Sequence, residues 1–175
     1  ARLTYGLKLE EENELLTGDG TSGKLNGINH QATAFTGGAT NQTGLDTLLK
    51  GMLQVSLSFY ETSGIILHPT DWTQLQLLKD TLGRYIFSDP TAVTQPRVWG
   101  KPVVPTVAQG QGTFTMGAFD MGASIIDREG VSIRVSDQHS DFFTRNMIAI
   151  LCEERVGFIM YRPAAFVSGS LFTPG

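Results

Sequence analysis

Apolar residues run almost unbroken from position 147 to 161, interrupted only by Glu153, Glu154 and Arg155. At period two, Ile148, Ile150, Cys152, Val156, Phe158 and Met160 share one face, with Glu154 as its single interruption. The opposite face carries Met147, Ala149, Leu151, Glu153, Arg155, Gly157, Ile159 and Tyr161. Bulky β-branched and aromatic residues around Gly157 select a strand over a helix of the same length. Pro163, which has no N–H to donate, ends the ladder.

The rest of the chain alternates between periods. Residues 1–16 read as a helix, with Leu3 and Leu7 on one face and Glu10, Glu11 and Glu12 in solvent. Ala1 opens inside this pattern with no capping residue and no initiator Met, so the chain reads as a fragment or processed product. Residues 36–43 form a Gly/Thr-rich loop. Thr43 and Asp46 have capping-box spacing, and Leu45, Leu48, Leu49, Met52, Leu53, Phe59 and Tyr60 then form a helical stripe read as core. Residues 64–67 are a short buried strand. After Pro69, Thr70 is expected to cap a helix through Lys79 that buries Trp72, Leu75 and Leu78 and stops at Gly83. Residues 98–106, with Pro102 and Pro105, suit an edge-type strand. Residues 113–119 alternate Thr with apolar side chains as a strand, and Ile125-Ile126 reads as a short buried segment. Val131, Ile133 and Val135 alternate with Ser132, Arg134 and Ser136, and 164–171 closes as a last strand. Helices and strands in this order give an α+β chain with a mixed sheet.

Composition narrows the function classes. Only 17% of the 175 residues are charged and 20 are Gly, which leaves much neutral surface for meeting a neighbour. A net charge of −4 disfavours a nucleic-acid reader with a basic footprint. Cys152 is alone, which rules out an intrachain disulfide and a cysteine metal cluster; on its apolar face it is expected to be a small buried hydrophobe. No apolar run approaches the ~18 residues of a spanning helix.

Two stretches tempt a chemical reading. Gly18, Gly23 and Lys24 stand at phosphate-loop spacing, which would make a nucleotide site. Leu25 replaces the magnesium-binding hydroxyl, Asp19 sets negative charge where phosphate would lie, and Asn26-Gly27 turns where a helix should start. The stretch therefore reads as a helix-to-sheet turn. His68, before Pro69-Thr70-Asp71, has no spacing to His30 or His139 that suits a metal, and reads as a strand-end residue. No catalytic constellation, metal set or cofactor site is expected, and no small-molecule substrate or membrane partner.

Four segments carry a family resemblance: LLTGDGTSGKLNGI, HPTDWTQLQLLKDTLGRYIF, VWGKPVVPT and TRNMIAILCEERVGFIMYRPAAFVSGS. In this order they resemble the C-terminal portion of major capsid proteins of tailed bacteriophages and prophages, the Hong Kong 97-type fold. The resemblance implies a structural protein rather than an enzyme, with itself as partner in hexamers and pentamers of an icosahedral shell. Double-stranded DNA would be packaged within, held non-specifically. It implies a virion location after assembly in the host bacterial cytoplasm. It also implies an A domain at 17–126 with the final strand 163–175, and a P domain at 1–16 and 127–162 built of a long helix and long strands. An N-terminal arm and an extended hairpin loop of the family are absent. Loops 91–97 and 109–112 would face the capsomer axis, and 141–145 would meet at junctions between capsomers. A nanocompartment shell of the encapsulin kind, which shares the fold, is the alternative.

The resemblance brings one reaction with it. In some members an Asn is attacked by a Lys of another subunit, with a Glu accepting the proton. The stretch N-M-I-A-I-L-C-E matches, with Asn146 as crosslink acceptor candidate and Glu153 as base candidate. Seven residues separate them, ~23 Å along a strand, so the two would have to act from different copies. The Lys belongs to the absent hairpin, so this chain would not crosslink by itself. The structural alternative is that Asn146 closes a loop and Glu153 pairs with an arginine.

Overall fold

The computed structural model describes residues 2–38, 42–80, 82–86, 96–136 and 144–172. Helix α1 (Arg2–Thr17) leads through a tight turn to α2 (Ile28–Gln31) and β1 (Thr33–Ala34). Then come α3 (Gly44–Leu57), β2 (Gly64–Leu67), α4 (Pro69–Gln76), β3 (Arg97–Val98), β4 (Lys101–Pro105), β5 (Thr113–Gly117) and α5 (Phe119–Gly122). Two long strands, β6 (Ala123–Ser136) and β7 (Ala149–Met160), precede a 3-10 turn (Pro163–Ala165) and β8 (Phe166–Ser170).

Six strands form a mixed sheet in the order β1-β8-β5-β2-β4-β3, with β1–β8 and β2–β4 parallel and the other pairs antiparallel. Both edge strands are two residues long, which leaves little free ladder to recruit another chain. β6 and β7 form a separate antiparallel ribbon, with irregularities between Asp127 and Ser132. The α+β class with a mixed sheet agrees with the sequence reading.

Alternation along the strands divides the interior. Ile65, Leu67, Val103, Phe114, Met116 and Val167 point to one face of the sheet, against Leu48 and Val55 of α3 and Trp72 and Leu75 of α4. Phe166, next to Val167, points to the other face. There it joins Leu16, Ile28, Ala118 and Ala165, with Phe158 and Met160 of the ribbon packed on it. This second cluster welds α1, the sheet and the ribbon at one place. The capping box holds as expected: Thr43 Oγ1 accepts from the Asp46 N–H at 3.3 Å, and Asp46 accepts from the Thr43 N–H at 3.1 Å.

Several expectations are corrected. The stripe on α3 holds in part: Leu48 is in the core and Leu45, Met52 and Tyr60 pack against it, but the buried face is shifted from the one expected. Gly44, Thr47, Leu48, Gly51 and Val55 are buried, whereas Leu49, Leu53 and Phe59 are exposed and Leu45 and Met52 only partly covered. The cause is close approach: a Cβ on Gly51 would lie 2.9 Å from Met116 Sδ, so the sheet fills this contact and the helix brings small residues. α4 is capped by His68, not Thr70: His68 Nδ1 accepts from the Thr70 N–H at 3.2 Å. It ends at Gln76 rather than Lys79. Gly83, at φ 78°, sits in a later turn where the Gly83 N–H donates to Asp80 O at 3.0 Å.

Other corrections fall on the ribbon and α1. Ile125 and Ile126 are exposed residues of the continuous β6, not a separate buried segment. Cys152 is half-buried rather than buried. Leu3 is exposed, and Glu11 and Glu12 are half-buried because they receive Lys8 and Thr106 hydrogen bonds, at 2.6 and 2.5 Å. Residues 39–41 of the Gly/Thr-rich loop, 91–95 of the expected axis loop, His139 and 141–143 of the expected junction loop lie outside the described residues.

Candidate functional site

The ribbon carries both candidates for chemistry, and α1 explains how it is held. Glu154 interrupts an otherwise apolar face of β7, and its side chain is only 8% exposed. A carboxylate there requires a cationic partner, and Lys8 of α1 supplies it at 2.9 Å while also contacting Glu11 at 2.6 Å. These two hydrogen bonds, to Glu11 first and Glu154 second, raise the Lys8 ammonium's pKa well above its ordinary value. The lone acid on an apolar strand face was the sequence signal for a missing cation; nothing in the pattern pointed to Lys8.

Glu153 lies on the opposite ribbon face, across from Ser132, with Arg134 Nη2 at 3.3 Å and its side chain 43% exposed. Asn146 stands in the turn before β7 with φ 52°, a left-handed conformation that Asn tolerates better than most side chains. It is exposed. The structure therefore sets Asn146 off the end of β7 and Glu153 within it, beside Arg134.

The 17–27 stretch closes on itself. Gly20 N–H donates to Leu25 O at 3.0 Å, Lys24 N–H to Thr21 O at 2.9 Å and Gly27 N–H to Gly18 O at 2.8 Å. Asp19 takes the Thr21 N–H at 3.0 Å, which lowers the carboxyl's pKa. Lys24 Nζ lies 3.7 Å from Glu14 Oε1. The N–H groups of Gly20, Thr21, Lys24 and Gly27 are thus used internally, and only the four-residue α2 follows. Gly18 and Gly27 owe their place to packing: a Cβ on Gly27 would lie 2.7 Å from Gly18 N, and one on Gly18 would fall onto the Leu25 carbonyl oxygen.

Asn29, Gln109 and Thr115 form a hydrogen-bonded set on the sheet's second face, tying the 109–112 loop and α2 to β5. Asp71, 1% exposed, accepts the Gly112 N–H at 2.6 Å and anchors the same loop. Among the described residues no group of three His, Cys, Asp or Glu is placed to hold a metal ion, and no helix is long and apolar enough to cross a membrane. What the surface offers instead is apolar contact area. Phe59, Leu57, Met121, Val107 and Leu82 each stand more than two-thirds exposed.

The phage capsid family matches residues 1–171. The major capsid protein of Enterobacteria phage HK97 is 48% identical over 171 residues, covering 97% of this chain and 44% of that protein. The chain thus spans less than half the length of this relative. Among solved structures, the capsid of an empty GTA particle computed with C5 symmetry superposes with a TM-score of 0.76 at 16% identity, over 97% of this chain and 63% of that one. A chain of Gordonia phage Cozz gives 0.68 at 19%, covering 90% and 55%. A virus-like particle from Pyrococcus furiosus gives 0.63 at 16%, covering 94% and 64%. At these identities the structures establish the shared fold.

Proposed function

The chain belongs to the phage capsid family, and from that premise we propose that it is the part of a major capsid protein whose copies build an icosahedral shell around packaged double-stranded DNA. The observation that carries this reading is the 48% identity sustained over 171 residues to a phage major capsid protein. It favours a phage shell over an encapsulin-like compartment. Copies of the longer protein partner one another in hexamers and pentamers, assembled in the host cytoplasm.

The proposed division places 17–126 and 163–175 in an A domain and 1–16 and 127–162 in a P domain. The separate six-stranded sheet and β6–β7 ribbon support it, as does α1 lying along the ribbon through Lys8 and Glu154. On this reading the 109–112 loop faces the capsomer axis, and 141–145 lies at capsomer junctions.

The crosslink that the resemblance implies would join copies. The neutral amine of a Lys attacks the Asn146 amide carbon, Glu153 of a further copy takes the ammonium proton, and ammonia leaves as an isopeptide bond forms. Both side chains are accessible enough for such a meeting, since Asn146 is exposed and Glu153 is part-exposed. The test is to express the longer coding sequence that contains these residues, image the product, and run it on a denaturing gel. Closed particles are expected, and only small soluble species would refute the shell reading. Covalent ladders that vanish in Asn146→Ala and Glu153→Gln, with particles retained, assign the crosslink. Monomer bands alone leave Asn146 to its turn and Glu153 to Arg134.

A further inference from the structure

Asp19-Gly20 and Asn26-Gly27 face each other in the hairpin after α1, where Asp19 and Asn26 form an isolated antiparallel bridge. Such pairs suit tight turns. They also rearrange readily, because glycine has no side chain to obstruct attack of its own nitrogen on the preceding side-chain carbonyl. Asp19 and Asn26 are both exposed to water. The hairpin nevertheless occupies each nucleophile. Gly27 is buried and its N–H donates to Gly18 O at 2.8 Å, while the Gly20 N–H donates to Leu25 O at 3.0 Å. Each electrophile is tied as well. His30 Nδ1 lies 2.8 Å from Asn26 Oδ1, and Gln31 Nε2 donates to the Asn26 main-chain oxygen at 2.5 Å. Asp19 Oδ1 accepts the Thr21 N–H at 3.0 Å, which holds the carboxyl below its ordinary range, in the charged form that has no leaving group.

We propose that Asn26 and Asp19 are sites of spontaneous conversion to isoaspartate that the hairpin's own hydrogen bonds keep shut, so that opening of this turn starts the reaction. Released from Gly18 O, the Gly27 nitrogen gives its proton to water or hydroxide and attacks the Asn26 side-chain carbon. A C–N bond forms, ammonia leaves with a proton taken from water, and a succinimide remains. Water then opens the ring, and attack at the main-chain carbonyl gives isoaspartate. Asp19 follows the same course from its neutral acid through the Gly20 nitrogen, with water in place of ammonia as the leaving group. While the turn is closed, the rate is the open-chain rate multiplied by the fraction of time the hairpin is open. The product does not fit the closed turn. Isoaspartate carries the chain through its side-chain carbon and so lengthens the backbone by a methylene. Gly18 and Gly27 are in main-chain contact, and a Cβ on Gly27 would lie 2.7 Å from Gly18 N and 2.8 Å from the Leu16 carbonyl carbon. Ile28 follows directly and packs in the same cluster as Leu16 and Phe166. An opening that lets the reaction finish is therefore not reversed, and the register that seats Ile28 beside α1 is lost.

The experiment incubates the 175-residue chain at neutral pH in buffer alone and in urea, with timed samples digested by trypsin and read by chromatography and mass spectrometry. Cleavage after Lys8, Lys24 and Lys50 places Asp19 and Asn26 in separate peptides. Conversion at Asn26 reads as a new peak with a gain in mass, and at Asp19 as a new peak of unchanged mass. Both conversions are expected to be at least about tenfold slower in the native chain than in urea. Gly18→Ala, whose Cβ would fall on the Leu25 carbonyl oxygen, leaves both dipeptides intact and should bring both native rates toward the urea rates. His30→Ala should speed Asn26 while leaving Asp19 at its wild-type rate, because His30 holds the Asn26 amide. General unfolding does not give that split, and the variant keeps the test open if Gly18→Ala folds poorly. Equal rates in buffer and in urea overturn the proposal. Rates in both variants equal to those of the wild type overturn it too.

Discussion

Replacing Gly122 with Ala tests how the ribbon is fastened to the sheet. A Cβ on Gly122 would stand 2.5 Å from Phe166 Cε2, 3.0 Å from Cζ and 3.3 Å from Ala165 Cβ. The backbone has little room to retreat, because Gly122 O accepts the Tyr161 N–H at 2.8 Å. The Phe166 ring is fully buried and set edge-on to Phe119 at 5.3 Å, so it cannot yield freely. Overpacking of this kind costs about 1–3 kcal/mol. Phe166→Ala alone removes a fully buried ring and should cost about 3–5 kcal/mol. The three atoms nearest to a Gly122 Cβ all belong to side chains, and the two nearest belong to that ring. In the double variant the new methyl enters vacated space, and its cost should fall to about zero. The interaction energy is then on the order of 1–3 kcal/mol in favour of the pair. Urea unfolding of the four proteins, followed by far-UV circular dichroism and tryptophan fluorescence, measures it; coincident curves license the two-state values. Phe166→Leu replaces Phe166→Ala if too little of the latter folds. Costs that add to within about 0.5 kcal/mol would refute the claim that Gly122 is held open for Phe166.

Two further outcomes follow from the elements described. Thr43→Ala should cost about 1 kcal/mol by opening the α3 cap, measured by the same unfolding curves. The Thr43 side chain first, and its N–H second, lower the Asp46 pKa below its ordinary 3.8. This contribution is therefore present above pH 3.8 and lost as pH falls through the lower folded value, so Thr43→Ala should flatten the acid end of the Tm-against-pH curve. On the ribbon, Ile150 and Leu151 are 55% and 51% exposed, so Ile150→Ala or Leu151→Ala should cost less than about 1 kcal/mol in the isolated chain. Thermal shifts typical of core truncation would show that ribbon face to be covered.

Local chemistry was legible in the sequence wherever neighbouring residues settle the outcome among themselves. Thr43 and Asp46 make their cap without help from the rest of the chain. The Thr/apolar alternation of β5 places Phe114 and Met116 on one face and Thr115 on the other, as period two requires. The long apolar strand near the end, its stop at Pro163 and the self-closing turn at Gly18 and Gly27 follow from side-chain shape and proline geometry. The family itself was written in four ordered segments. Tertiary structure decided what depends on a partner far along the chain. Which face of α3 is buried turned on Met116 and Phe114 filling the contact, so Gly51 went inward and Leu49 and Leu53 outward, against their hydrophobicity. Glu154 was placed by Lys8, 146 residues away, and Phe166 joined sheet to ribbon because Gly122 leaves it room. A hydrophobic pattern ranks residues by their cost in water. It does not say which of several apolar faces has a neighbour.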